Sequence, residues 1–287
     1  MTNDEAKPVV VGIDGSDAAI EAARWAIGEA VARDVPLRLI SVANTPRTLV
    51  DWELRGPEAQ YAETSLRAAS AAVDSAGLPV KIEAEVLWGP PSNALIRESE
   101  HAAMICIGTV GIGAVARVVL GSTAVAVAER AHCDVAVIRP TAVTDRPAEN
   151  WVAVGVNDQP EADIALRVAL GEARIRRAPL VAVGLGCNAF GVNSVEQTEH
   201  RIQRWRQQYP DLRIDVVSAS AGIAEFLADN RSDLAQRYAS TDSTHDAGHV
   251  QPLAVLASSD VAEVMRIVGP HHYPILKHAQ CSVLVAR

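Results

Sequence analysis

Two stretches of this 287-residue chain carry residues able to hold a phosphorylated ligand. The first is Asp14-Gly15-Ser16, which follows the apolar run VVVGI at 9–13. The second is GTVGIGAVARVVLGST at 108–123, where Gly108, Gly111 and Gly113 precede Gly121-Ser122-Thr123. Glycine lets a backbone approach a ligand where a Cβ would collide. A Gly-Ser-Thr that opens a helix offers free N–H groups, the positive end of the helix dipole and two hydroxyls, all suited to phosphate. Asp14 is an acceptor placed for a ribose hydroxyl or the amino edge of a base. The plainer alternative is that the glycines only serve tight turns. The Walker pattern GxxxxGK[ST] fails, since no lysine follows Gly113 or Gly121, and no glycine trio GxGxxG follows 9–13.

The elements that position these residues follow from the pattern of apolar runs. Strands are expected at 9–13, 37–42, 80–87, 104–108 and 135–139, and helices at 18–32, 58–76, 92–102 and 123–131, with Ser92 as a helix cap. Near-continuous apolar strands alternating with helices imply a parallel sheet covered on both faces. Right-handed crossovers make it a doubly wound α/β sandwich. Ligands in such sheets sit beyond the carboxyl ends of the strands, where strand order reverses. Both stretches end there.

The whole pattern occurs twice. AARWAIGEAVARDVPL from Ala22 returns as ALRVALGEARIRRAPL from Ala165, so Arg24, Gly28, Glu29, Arg33 and Pro36 reappear as Arg167, Gly171, Glu172, Arg176 and Pro179. AHCDVAVIR from Ala131 returns as AQCSVLVAR from Ala279. This duplication predicts two tandem Rossmann-like domains, 1–145 and 146–287, joined through the polar stretch at 140–150.

Gly108-xx-Gly111, nine further residues and then Gly121-Ser122 resembles the ATP-binding motif G-2x-G-9x-G-(S/T) of the universal stress protein family. The opening VVVGIDGSDAA and the closing AHCDVAVIRP of the first copy extend the likeness. A weaker likeness covers the second copy, a tandem arrangement similar to that of mycobacterial and other actinobacterial members. The resemblance implies an adenine-nucleotide α-hydrolase-like fold. It implies adenine and ribose contacts at Asp14, a backbone contact to adenine at Val42, and phosphate contacts at Gly108, Gly111, Gly121, Ser122 and Thr123. Gly15 and Gly113 complete the candidate set. Ala124 stands where the family pattern usually has another serine, which removes one hydroxyl. The implied ligand is ATP, with ADP and AMP open, together with Mg2+. The implied role is regulation in stress or dormancy; a partner-binding scaffold with a residual site is the alternative.

The second copy departs from the motif. Asn157-Asp158-Gln159 replaces Asp-Gly-Ser, LASSD at 256–260 replaces the glycine pair, and Pro270-His271 follows Gly269 in place of Ser-Thr. Proline removes an N–H donor and Asp260 repels phosphate, so this half is expected to carry a degenerate loop. His271, His272 and His278, like His245 and His249, lack thiolates or carboxylates at metal-ligand spacing, and no metal site is assigned. The basic run at 201–213 reads as a solvated helix face, with Trp205 as its anchor.

An enzyme needs a nucleophile beside a base, or a carboxylate holding a metal. Ser16, Ser122 and Thr123 have no histidine near them in the pattern, and Asp14 is assigned to the nucleoside. Binding rather than turnover is expected, with slow ATP hydrolysis left open. A net charge of -9 argues against nucleic acid as partner. Four scattered cysteines without a CxxC fit buried free thiols in a reducing compartment. The polar N-terminus is unlike a secretory signal, and no apolar run nears the about 20 residues that span a bilayer, so a soluble, cytoplasmic protein is expected. The last strand of each copy resembles the edge through which family members pair, which implies pairing of the two copies within one chain, or a homodimer.

Overall fold

The computed structural model describes residues 6–43, 56–109, 120–140, 149–185, 194–220, 222–239, 251–268, 279 and 281–287. The chain divides into two compact units, Met1–Pro140 and Thr141–Arg287.

In the first unit, the valines of β1 (Val9–Gly12) are fully buried, as a central parallel strand requires. Ser16 then caps α1 (Asp17–Arg33): its Oγ accepts a hydrogen bond from the Ala19 N–H at 3.2 Å. The helix stops at Asp34, which adopts the left-handed conformation (φ 53°) and returns its N–H to helix carbonyls. There follow β2 (Leu37–Ala43), α2 (Pro57–Asp74), β3 (Ile82–Trp88), α3 (Pro91–Glu98), β4 (Met104–Gly108), α4 (Ser122–Arg130) and β5 (Asp134–Ile138). All strand pairs are parallel, in the order β3-β2-β1-β4-β5. The chain walks outward from β1 to β3, then returns to lay β4 on the other side of β1. The strand order therefore reverses between β1 and β4.

The second unit repeats the plan with β6 (Val152–Val156), α5 (Pro160–Ile175), β7 (Leu180–Leu185), α6 (Ser194–Gln208), β8 (Ile214–Ala219), α7 (Ile223–Asp229), α8 (Arg231–Arg237), β9 (Leu253–Ala257), α9 (Glu263–Val268) and β10 (Ser282–Ala286). Its order is β8-β7-β6-β9-β10, again parallel. Each unit is thus the doubly wound α/β sheet that the duplication implies.

Three local readings change. Ser92 is not a cap: Pro90 holds that position, Pro91 opens α3 where no N–H is needed, and no side chain caps the helix. The third strand begins at Ile82, because Val80 turns back to bond the Leu78 carbonyl. The basic run is only partly a solvated face, since Arg201 and Arg206 donate to the backbone carbonyls of Asn157 and Ile214. Trp205 is buried beside fully buried Ile202, as an anchor should be. Cys106, Cys133 and Cys281 are buried and outside any disulfide; Cys187 lies outside the described residues.

Candidate functional site

β1 and β2 end at different heights, and this opens the site. The last ladder contact of β1 is the Ile13 N–H to the Ile40 carbonyl at 2.7 Å, whereas β2 continues to Ala43, paired with β3 alone. Backbone groups alternate sides along a strand. Ile40 faces β1, and Ala43 faces β3, accepting from the Gly89 N–H at 2.9 Å. Val42 therefore turns its N–H and carbonyl toward the β1 side, past the point where β1 has ended.

Asp14 stands at that end of β1 and is held there. Its Oδ1 accepts from the Ser16 N–H at 3.0 Å and from the Ser16 hydroxyl at 2.6 Å, so one short turn joins the carboxylate to the α1 cap. Gly15 permits the turn. Its φ is +85°, and a Cβ there would collide with the Tyr61 hydroxyl and with Ser65. Tyr61 reaches over from α2 and donates to the Asp14 carbonyl at 3.2 Å.

The far side of the candidate site is the start of α4. Gly121 is its N-cap, and its own N–H is taken by the Thr109 carbonyl at 3.0 Å. No side chain caps this helix, so the first-turn N–H groups of Ser122, Thr123 and Ala124 have no helical acceptor and lie at the positive end of the dipole.

These parts surround one cavity of about 810 Å³, within the range of about 300–1,000 Å³ typical of small-molecule sites. The ends of β1, β2 and β4 contribute Asp14, Val42 and Gly108; α4 contributes Gly121, Ser122, Thr123 and Ala124. Ile13, Ile40, Leu95 and Ile107 supply an apolar lining. Gly15 is outside the lining and serves the turn. Gly108 lines the cavity, and the atoms a Cβ there would strike belong to Ala18, at 2.6 Å from its carbonyl carbon, so the close approach of α1 by itself requires this glycine. Gly111 and Gly113 lie outside the described residues. Tyr61, Ser41 and Leu95 also line the cavity without having been singled out from the sequence. Tyr61 had one usable signal: it is the first unit's only tyrosine, set in an otherwise alanine-rich helix.

The equivalent place in the second unit is built differently. Asn157 keeps the short turn, accepting from the Gln159 N–H at 2.9 Å. Tyr61 is replaced in function by Arg201, which donates to the Asn157 carbonyl at 2.6 Å and pairs with Asp158 and Asp163. The Leu185 side chain at the end of β7 lies over Gly155, with Cδ1 2.6 Å from where a Cβ would be. The strand–helix connection after β9 is a 3-10 turn, Ser258–Asp260, followed by α9 with Glu263. Burial raises the Asp260 carboxyl above its ordinary range, and the negative charges of Glu263 and Glu161 raise it further, against a lowering hydrogen bond from Ser259. Gly269, Pro270 and His271 lie outside the described residues, as do His272, His278, His245 and His249. Among the described residues, no three His, Cys, Asp or Glu side chains gather as a metal site.

A carboxyl whose folded pKa is raised burdens the fold when ionised. That burden is absent in acid, grows as pH rises through the ordinary carboxylate range, and is complete above the raised pKa. Asp260→Asn is therefore expected to stabilise the second unit at pH 7 by less than about 1 kcal/mol, discounted for partial exposure. The gain should vanish near pH 3, as read by urea unfolding at both pH values.

No helix among the described residues is long and apolar enough to cross a membrane. A model of the universal stress protein family matches residues 5–139. The universal stress protein Rv2624c of Mycobacterium tuberculosis is 42% identical over 283 residues, covering 98% of this chain and 96% of the relative. The universal stress protein Rv2028c of the same organism is 32% identical over 293 residues, covering 99% and 98%. A solved universal stress protein from Archaeoglobus fulgidus superposes with a TM-score of 0.67 over 98% of both chains at 15% identity, a likeness of fold. With two such relatives matched along almost their whole length, the chain belongs to the universal stress protein family, as a tandem member.

Proposed function

We propose that the first unit binds an adenine nucleotide, ATP with Mg2+ foremost, and that occupancy regulates the protein's partners or assembly in a stress or dormancy response. The observation that carries this reading is the set of groups around the 810 Å³ cavity: the Val42 backbone edge, the Asp14 carboxylate and the uncapped α4 terminus. A donor beside an acceptor at Val42 complements the N1 and N6 positions of adenine. Asp14 accepts from a ribose hydroxyl, and the N–H groups of Ser122 and Thr123 face phosphate. The second unit, with Leu185 over Gly155 and the charges of Asp260 and Glu263, is proposed to leave the nucleotide to the first and to contact a partner. A cytoplasmic location and pairing through β5 and β10, within one chain or between two, belong to the same proposal; light scattering tests the homodimer.

Isothermal titration with AMP, ADP and ATP, each with Mg2+, tests the nucleotide. Binding of ATP below about 1 mM is expected, and no heat at millimolar ligand would favour the scaffold reading. The missing hydroxyl gives a sharper check. Ala124→Ser should tighten ATP by about 0.5–1.5 kcal/mol, one added hydrogen bond, while leaving AMP unchanged. An equal gain for AMP would mean that α4 does not face the phosphate chain. Sustained phosphate release that Asp14→Ala abolishes would instead favour a slow ATPase.

A further inference from the structure

The second unit contains another hollow, at the opposite end of its sheet from the carboxyl ends of the strands. Its volume is about 720 Å³, and it lies where α5 and α6 end and β7 and β8 begin. Three arginines, Arg174, Arg177 and Arg213, are among the residues that line it, with Asp211 as the single acidic one. Tyr209 forms one wall; its ring stacks with Trp205 (centroids 6.2 Å apart) and has the Arg174 guanidinium 5.4 Å from its centre.

The three arginines are not equally committed. Arg213 pairs with Asp215 at 2.8 Å and lies over the Tyr238 ring. Arg174 and Arg177 have no carboxylate partner among the described residues. Arg174 sits in the last turn of α5, where a cation complements the helix dipole, and this accounts for one guanidinium. It does not account for three around one hollow. The duplication supplies an internal comparison. At the same positions of the first copy stand Val31 and Asp34, and the turn is the same, with Asp34 at φ 53° and Arg177 at φ 49°. The second copy has thus exchanged an apolar and an acidic residue for two arginines without changing the backbone, in a chain of net charge -9.

We propose that this hollow is a second ligand site, for a compact polyanion bearing two or more phosphate or carboxylate groups. Arg174 rests over the Tyr209 ring, a contact that limits the freedom of its planar fork before an oxyanion arrives. Arg177 supplies a second fork from a rigid turn. The hollow suits a small ligand rather than a folded partner. It is independent of the nucleotide cavity in the first unit.

The test is hydrogen exchange of the full chain at low salt, with inorganic triphosphate in one arm and citrate in the other. Slowed exchange over 205–213 is expected in at least one arm, and the stronger arm names the oxyanion. Arg177→Asp restores the residue that the first copy carries in the same turn, so the fold should tolerate it. It should weaken that protection at least tenfold in ligand concentration while leaving exchange over 120–125 unchanged. Arg174→Gln should weaken it as well. No protection over 205–213 in either arm, or equal protection in Arg177→Asp, would overturn the proposal.

Discussion

Replacing Glu172 by alanine is expected to cost the second unit about 3–5 kcal/mol, the usual penalty for removing one partner of a buried ion pair. Glu172 in the last turn of α5 and Arg176 at its C-cap bond at 3.0 and 3.2 Å with both side chains at most 1% exposed. The Arg176 carbonyl also holds the Asn150 side chain at the entrance to β6, so the pair ties a helix end to the start of the unit. Without the carboxylate, a guanidinium remains in a site that water does not reach. The same pair in the first copy, Glu29 and Arg33, differs in one respect: the Arg33 side chain is 28% exposed and can be hydrated. Glu29→Ala should accordingly cost less. Urea unfolding followed by hydrogen exchange in β6 and β7, and separately in β1 and β2, measures the two. Equal losses in the two units would show that burial of the arginine does not set the penalty.

Gly108→Ala is the second large effect. One methyl group added there would stand 2.6 Å from the Ala18 carbonyl carbon and 2.8 Å from its oxygen, which are backbone atoms and cannot rotate aside. α1 must move away from β4, at a cost of about 1–3 kcal/mol in the first unit. Because the start of α1 and the end of β4 both line the cavity, nucleotide affinity should fall with stability. The second unit has Ala257 at the same register position, opposite the strand pair that matches β1 and β4. Wild-type unfolding of Gly108→Ala in urea would contradict this packing account.

Much of this architecture is legible in the residues. The duplication is open to view because helix and strand segments recur in the same order. The parallel sheet follows from apolar runs such as Val9–Gly12, which only a strand covered on both faces can use. Gly121-Ser122-Thr123 could be placed at a helix start because the apolar spacing resumes immediately after it. Other features were hidden for physical reasons. A glycine needed for a ligand and a glycine needed for a helix look alike in sequence, so the partner of Gly108 emerged only with Ala18 in place. Tyr61 touches the Asp14 carbonyl across 47 residues, a contact no local spacing reports. Arg201 sits in a run of basic residues whose solvated face was the natural reading, yet it takes the place over Asn157 that Tyr61 takes over Asp14. Leu185 simply continues an apolar strand. Its effect depends on the absence of a side chain at Gly155, one strand away.

The proposed function is asymmetric: the first unit is proposed to hold the adenine nucleotide and the equivalent place in the second to leave it out. Photo-crosslinking with 8-azido-ATP, followed by peptide mapping, tests it at the base itself. Labelling that unmodified ATP suppresses is predicted in the peptides of β2 and α2, around Val42 and Tyr61. Label in the peptides of β7 or α6, around Leu185 and Arg201, or no ATP-suppressible label at all, would contradict the account.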